Sequence, residues 1–141
     1  MSMDTQLAEL CQALIRRPSV SGEEKGVAEF LKGTMEQLGY DQVEIDRYGS
    51  VLGRIHGKRP GPTVLMDGHI DTVPVEDPGV WKHDPFAAEI EDGRIYGRGA
   101  SDMKGSVASM VLAAARFAQS TGRDFAGTAA VSCSVHEECF E

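Results

Sequence analysis

Three short stretches of this chain carry residue types that can hold a cation or move a proton. The first is His69-Ile70-Asp71. In an extended chain, positions i and i+2 point to the same side, so the imidazole and the carboxylate can meet. A histidine that binds a metal through one ring nitrogen commonly donates its other ring N–H to a carboxylate, which fixes the tautomer and makes the ligand more basic. Taken alone, the pair is common by chance and reads better as a surface histidine beside a solvated aspartate. The second stretch is Gly97-Arg98-Gly99-Ala100-Ser101-Asp102-Met103-Lys104-Gly105. Its glycines permit left-handed backbone and a close approach by another group. Asp102 by itself reads as the N-cap of the following helix. The glycine spacing fits neither the dinucleotide fingerprint nor the phosphate loop that ends in Gly-Lys-Ser/Thr. The third stretch is Glu137-Glu138, directly after an uncharged run. Where a strand ends the backbone turns, and both carboxylates can then reach one pocket, one as a metal ligand and the other as a general base. The plain alternative is two solvated acids at an edge. His136, beside them, reads as structural.

The order of these stretches along the chain raises their combined weight. Each falls at the exit of an expected strand or in the loop after it, where open α/β sheets place their ligands. Nitrogen and oxygen donors without thiolates suit Zn²⁺, Co²⁺ or Mn²⁺ in a hydrolytic site.

The elements that must position these groups are legible as follows. Asp4 can cap a helix to about Arg17, with Leu7, Leu10, Cys11 and Leu14 on one stripe and Pro18 beyond it. Ser21-Gly22-Glu23-Glu24 has the spacing of a capping box. The helix it opens buries Val27, Phe30, Leu31, Met35 and Leu38 and ends at Gly39. Val43–Asp46 and Val51–Ile55 read as strands joined by a turn at Tyr48-Gly49-Ser50, and Lys58–Pro62 as a second turn. Thr63–Met66 is expected to be a buried central strand leading to His69. A loop from Thr72 to about Ala87 precedes a hairpin on Asp92-Gly93. A helix from about Ser106 to Ser120 presents Val107, Met110, Val111, Ala114, Phe117 and Ala118, and Thr128–Val135 forms a second buried strand. Helices alternating with buried strands define an α/β sandwich on a mixed sheet. A buried strand that delivers charges three residues from the last residue leads to the expectation that the fold continues further.

Composition narrows the possible partners. The chain has 141 residues and a net charge of −8, from 14 Lys+Arg against 22 Asp+Glu, with no basic run. This excludes nucleic acid and an anionic membrane as expected partners. No stretch is apolar enough to span a bilayer, and the first residues lack a signal-peptide pattern. Cys11, Cys133 and Cys139 form neither a disulfide framework nor a zinc-type spacing, so a reducing cytoplasm is the expected location.

Together the motifs resemble the M20 metallopeptidases, a family that includes aminoacylases, acetylornithine deacetylase and succinyl-diaminopimelate desuccinylase. The matching blocks are Gly68–Pro74, Trp81–Phe86, Tyr96–Gly105 and Glu137-Glu138. The likeness is strongest to the deacetylase/desuccinylase group, including its selenium-metabolism-linked branch. The resemblance implies the α/β fold of a zinc-dependent exopeptidase-like catalytic domain, with residues 1–141 as its N-terminal portion. It implies two divalent metal ions, zinc or cobalt, with manganese as an alternative. His69 would bind one metal, with Asp71 as the catalytic residue behind it. Asp102 would bridge both metals, Glu138 would bind the other, and Glu137 would be the general base. The implied substrates are small N-acyl amino acids or peptides. A further carboxylate ligand, a further histidine ligand and the lid or dimerisation domain of the family lie downstream of Glu-Glu. A homodimer is therefore expected only for the full-length form, and the chain alone is expected to bind metal weakly. Two other readings are a non-enzymatic product, either an inactive truncated remnant or a module that needs a partner half, and a nucleotide-binding α/β domain resting on the glycines alone.

Overall fold

The computed structural model describes residues 3–139, with the side chains of Met3 and Asp4 left out. Helix α1 (Met3–Ile15) leads through an extended link to α2 (Lys25–Gln37). Strands β1 (Gln42–Ile45), β2 (Val51–His56) and β3 (Arg59–His69) follow. A small hairpin of β4 (Glu89–Glu91) and β5 (Arg94–Tyr96) turns on Asp92-Gly93, both at positive φ. Helix α3 (Gly105–Ser120) and strand β6 (Ala126–Ser134) complete the order.

The main sheet runs β1-β2-β6-β3, antiparallel except for the β6–β3 pair, which is parallel. The mixed sheet matches the expected fold class. β6 is flanked on both sides, as an uncharged run of small and branched residues requires. Val51, Gly53, Val131, Cys133, Met66 and Gly68 are paired in register and so share one face. That face receives Met35 and Tyr40 from the α2 side and Met103 and Met110 from the α3 side. The buried core joins it to Leu14, Ile15, Val27, Leu31, Val107, Val111 and Ala115. Tyr40, just past α2, ties that helix to α3 by donating its hydroxyl to the Val111 carbonyl (2.9 Å).

Three expectations need correction. Lys58–Pro62 is not a hairpin turn: β3 already begins at Arg59 and β6, not β2, is its neighbour. Pro60 and Pro62 lack N–H donors, so the β3–β6 register slips between Arg59 and Thr63. Gly127 sits opposite this slip at φ +89, where a Cβ would meet the Pro62 carbonyl at 1.9 Å. Second, β3 is not central. It pairs only with β6 among the described strands, and Val64 and Leu65 are 64% and 57% exposed. An apolar run signals that a strand wants both faces covered, but it does not say which neighbour does the covering. Third, Ser21 and Glu24 form no capping box. The N-cap of α2 is Glu24 in helical conformation with no side-chain cap, and both side chains are used elsewhere.

Beside β3, Val64, Met66, Phe117, Phe125 and Ala129 line an apolar cleft of about 370 Å³. Phe117, expected in the core, is 47% exposed at its rim. No helix among the described residues is long and apolar enough to cross a membrane.

Candidate metal centre

His69 is the last residue of β3, opposite Ser134 at the end of β6. Its ring is almost enclosed, and its two nitrogens face different partners. Nδ1 lies 3.0 Å from the backbone carbonyl of Asp71 and 3.4 Å from Asp71 Oδ1. A carbonyl only accepts, so Nδ1 carries the hydrogen and donates it. Nε2 therefore presents a lone pair when the ring is neutral. It points at Asp102 Oδ1 (3.0 Å) and Glu137 Oε2 (3.8 Å). Ligand atoms of His69, Glu137 and Glu138 all lie within 4.8 Å of one another. The structure thus gathers all five residues singled out in the sequence around the His69 ring: Asp71 lies behind it, Asp102 and Glu137 face Nε2, and Glu137 and Glu138 are the carboxylates close enough to share one ion with it.

Asp71 plays a larger part than the sequence suggested. Its side chain is wholly buried. Oδ2 accepts from the Ser21 hydroxyl (2.6 Å) and the Glu138 N–H (2.9 Å), and Oδ1 accepts from the Glu137 N–H (3.2 Å). Burial alone would raise its pKa, but the hydrogen bonds from Ser21, Glu138 and Glu137 outweigh it and hold the carboxyl below the ordinary aspartate value. The chain reaches Asp71 this way because His136 takes a left-handed turn (φ 60) straight after β6. The Glu24 carboxylate holds that turn by accepting the His136 N–H (3.2 Å). These roles of Ser21 and Glu24 were hidden in the sequence, where their spacing matched a helix cap.

Asp102 stands on the irregular turn Ala100–Lys104, not at the helix N-cap, which is Lys104; the Asp102–Met103 peptide is cis. The turn is fixed from beneath. Lys104, 1% exposed, donates its Nζ to the carbonyls of Leu14 (3.0 Å) and Arg17 (2.7 Å) at the end of α1. Gly99 is left-handed (φ +78), and a Cβ there would meet Thr72 Cγ2 at 2.7 Å. The Trp81–Phe86 block supports the same loop: Pro85 accepts the Arg98 N–H (2.8 Å) and the Arg98 guanidinium lies 5.0 Å over Trp81.

The electrostatics fit a cation. Burial works against a charged His69, yet the contact with Asp102 and the neighbouring Asp71 and Glu137 raise its pKa above the ordinary value. Glu138 is pushed up by burial and by the nearby negative charge of Asp102. Without a cation, a proton on Nε2 relieves part of this crowding. A metal ion in its place competes with that proton. Metal affinity is therefore expected to fall as pH drops through the raised pKa of His69. In the metal-free chain the sign reverses. The His69–Asp102 contact stabilises the fold fully below the unfolded histidine pKa and is lost as pH rises through the folded one. Calorimetric titration and urea unfolding from pH 5 to 8.5 check both slopes, and His69→Asn should remove both.

An α/β sheet that gathers an imidazole and several carboxylates at its strand exits is the architecture of metal-dependent hydrolases. The chain belongs to peptidase family M20/M25/M40, whose family model matches residues 65–140. It is 38% identical over 137 residues to a succinyl-diaminopimelate desuccinylase from Methylobacterium sp. (strain 4-46), covering 92% of this chain and 34% of that protein. Among solved structures it resembles an M20 family metallo-carboxypeptidase from Sulfolobus solfataricus, with TM-score 0.83 and 27% identity over 98% of this chain and 32% of the other. A dinuclear metal-binding M20 peptidase from Bacillus subtilis shares the fold, with TM-score 0.66 and 21% identity over 96% of this chain and 36% of the other. The chain thus spans about a third of the length of these relatives.

Proposed function

We propose that this chain is the N-terminal portion of a two-metal amide hydrolase acting on small N-acyl amino acids or peptides. The observation that carries the reading is the setting of His69: Nδ1 lies 3.0 Å from the Asp71 carbonyl, which leaves Nε2 to face Asp102 and Glu137, with Glu138 close by. The relatives' names support the substrate class, since they include a desuccinylase and a carboxypeptidase. His69 would hold one divalent ion, Asp102 would bridge two, and Glu138 would hold the second; zinc or cobalt suits this donor set, with manganese an alternative. Bound there, the ions polarise the amide carbonyl and lower the pKa of the attacking water.

The protein's own groups do the rest. Glu137 reaches to 3.8 Å from His69 Nε2 and keeps an exposed carboxylate. It can take the water's proton and later deliver it to the leaving amine. Asp71 fixes the backbone at Glu137 and Glu138, so the base and the ligand start from set positions. The open edge of β3 leaves room for a further strand, and relatives about three times as long support a reading in which additional chain would supply the remaining ligands.

The test is calorimetric titration of the chelator-stripped chain with Co²⁺ and Zn²⁺. Asp102→Ala is expected to weaken binding by at least about tenfold, whereas Glu137→Gln should change it far less. In the whole protein, Glu137→Gln should lower kcat by about 10²–10⁴ while metal is retained. A folded chain that takes up no metal at millimolar concentration overturns the reading.

A further inference from the structure

Between α1 and α2 the segment Ser19-Val20-Ser21 runs beside Ile70-Asp71-Thr72 like a short added strand. Val20 bridges to Thr72, the Ser19 hydroxyl donates to the Ile70 carbonyl (2.7 Å), and the Thr72 N–H donates to the Ser19 carbonyl (2.9 Å). These contacts all end on the backbone of the 70–72 segment. The Ser21 hydroxyl does something different. It leaves α2 uncapped and crosses to Asp71 Oδ2 at 2.6 Å. That same oxygen receives the Glu138 N–H, while Oδ1 receives the Glu137 N–H and stands 3.4 Å from His69 Nδ1. Two of these four partners lie on the segment after β6 and one on β3. Only Ser21 comes from a helix-side element that is not itself part of the cluster.

We infer that Ser21 is a positioning residue for the metal centre, orienting the Asp71 carboxylate so that one group aligns the His69 ring and the Glu137-Glu138 backbone together. The inference rests on the metal-centre reading given above. The physical reason is rotational. A carboxylate can turn about its Cβ–Cγ bond, and the Glu137 and Glu138 N–H groups that restrain it belong to one short segment. The Ser21 hydroxyl adds a third donor, on the oxygen that also receives the Glu138 N–H, from a separate segment before α2. Threonine keeps the hydroxyl, and alanine deletes it with little change in volume.

The experiment compares wild type, Ser21→Ala and Ser21→Thr in three readouts. In the metal-free chain, hydrogen exchange by NMR should quicken at the Glu137 and Glu138 amides in Ser21→Ala, with exchange in α2 unchanged. Co²⁺ affinity by calorimetry should fall by about 10–100-fold in Ser21→Ala, the range found for residues that orient metal ligands. The visible Co²⁺ spectrum should shift with it, and Ser21→Thr should restore affinity and spectrum. Urea unfolding separates these effects from a general loss of stability. Ser21→Ala that unfolds more easily but binds Co²⁺ with unchanged affinity and spectrum overturns the assignment, as does unchanged exchange at Glu137 and Glu138. A wild-type chain that takes up no Co²⁺ fails the metal reading instead; the exchange rates at Glu137 and Glu138 then decide the Ser21 assignment by themselves.

Discussion

Asp71→Ala will lower the unfolding free energy of the chain by about 3 kcal/mol at neutral pH, because it strands the Ser21 hydroxyl and two backbone N–H groups in a closed pocket. The side chain is wholly buried and all its partners are donors, so alanine leaves nothing to accept from them. The effect has a defined pH signature. The folded pKa of Asp71 lies below its unfolded value of 3.8, so the stabilisation is fully present above that value. It is lost as pH falls through the folded pKa. Urea unfolding curves of wild type and variant should therefore lie apart at pH 7 and converge in acid. A gap that stays constant with pH would assign the loss to packing and not to the carboxylate.

Lys104 should give the second large effect. Lys104→Ala is expected to cost about 3 kcal/mol, since it opens a cavity and leaves the Leu14 and Arg17 carbonyls without their donor. Lys104→Met keeps the volume and should cost about half of that. Burial pushes the Lys104 ammonium from 10.5 down to about 8. Between those values the unfolded chain holds a proton that the folded chain has released, so Lys104 makes the fold more stable as pH rises. Burial raises the pKa of Cys133 and Tyr40, which pull the other way. The quantity to measure is thus the difference between wild type and Lys104→Met, which should grow from pH 8 to pH 10.5. A flat difference would mean that the two carbonyls hold the ammonium charged throughout.

The sequence was informative where one residue's chemistry decides one local outcome. The positive-φ pair Asp92-Gly93, Gly39 past the end of α2 and the apolar stripes of α2 and α3 were all legible. His69, Asp102, Glu137 and Glu138 could be singled out because each follows a strand or its loop, and the structure does bring them together. What could not be read depended on which segments become neighbours. Ser21 and Glu24 have ideal helix-cap spacing, and only the passage of Asp71 and His136 nearby draws their side chains away. Thr63–Met66 has the composition of a central strand, and only the order of the sheet puts it at an edge. Lys104 gave no signal at all, because its two acceptors are backbone carbonyls nearly ninety positions earlier.

The place of β6 in the sheet also governs how the molecule must come into being. It is the last of the described strands in chain order and a middle strand in space, where Leu52 meets Ser132 and Leu65 meets Ala130. The β1–β2 pair can zip locally, but β3 has no partner until β6 arrives across a long loop. Closure of such loops precedes the contacts that reward it, so the rate of folding is set by topology more than by local propensity. During synthesis the backbone donors and acceptors of β3 therefore stay unpaired while the hairpin, the glycine loop and α3 are still being made. The arrangement that brings His69 and Glu137 to one spot also makes the nascent chain wait, with an apolar strand open along both edges, for the segment that carries Glu137 and Glu138.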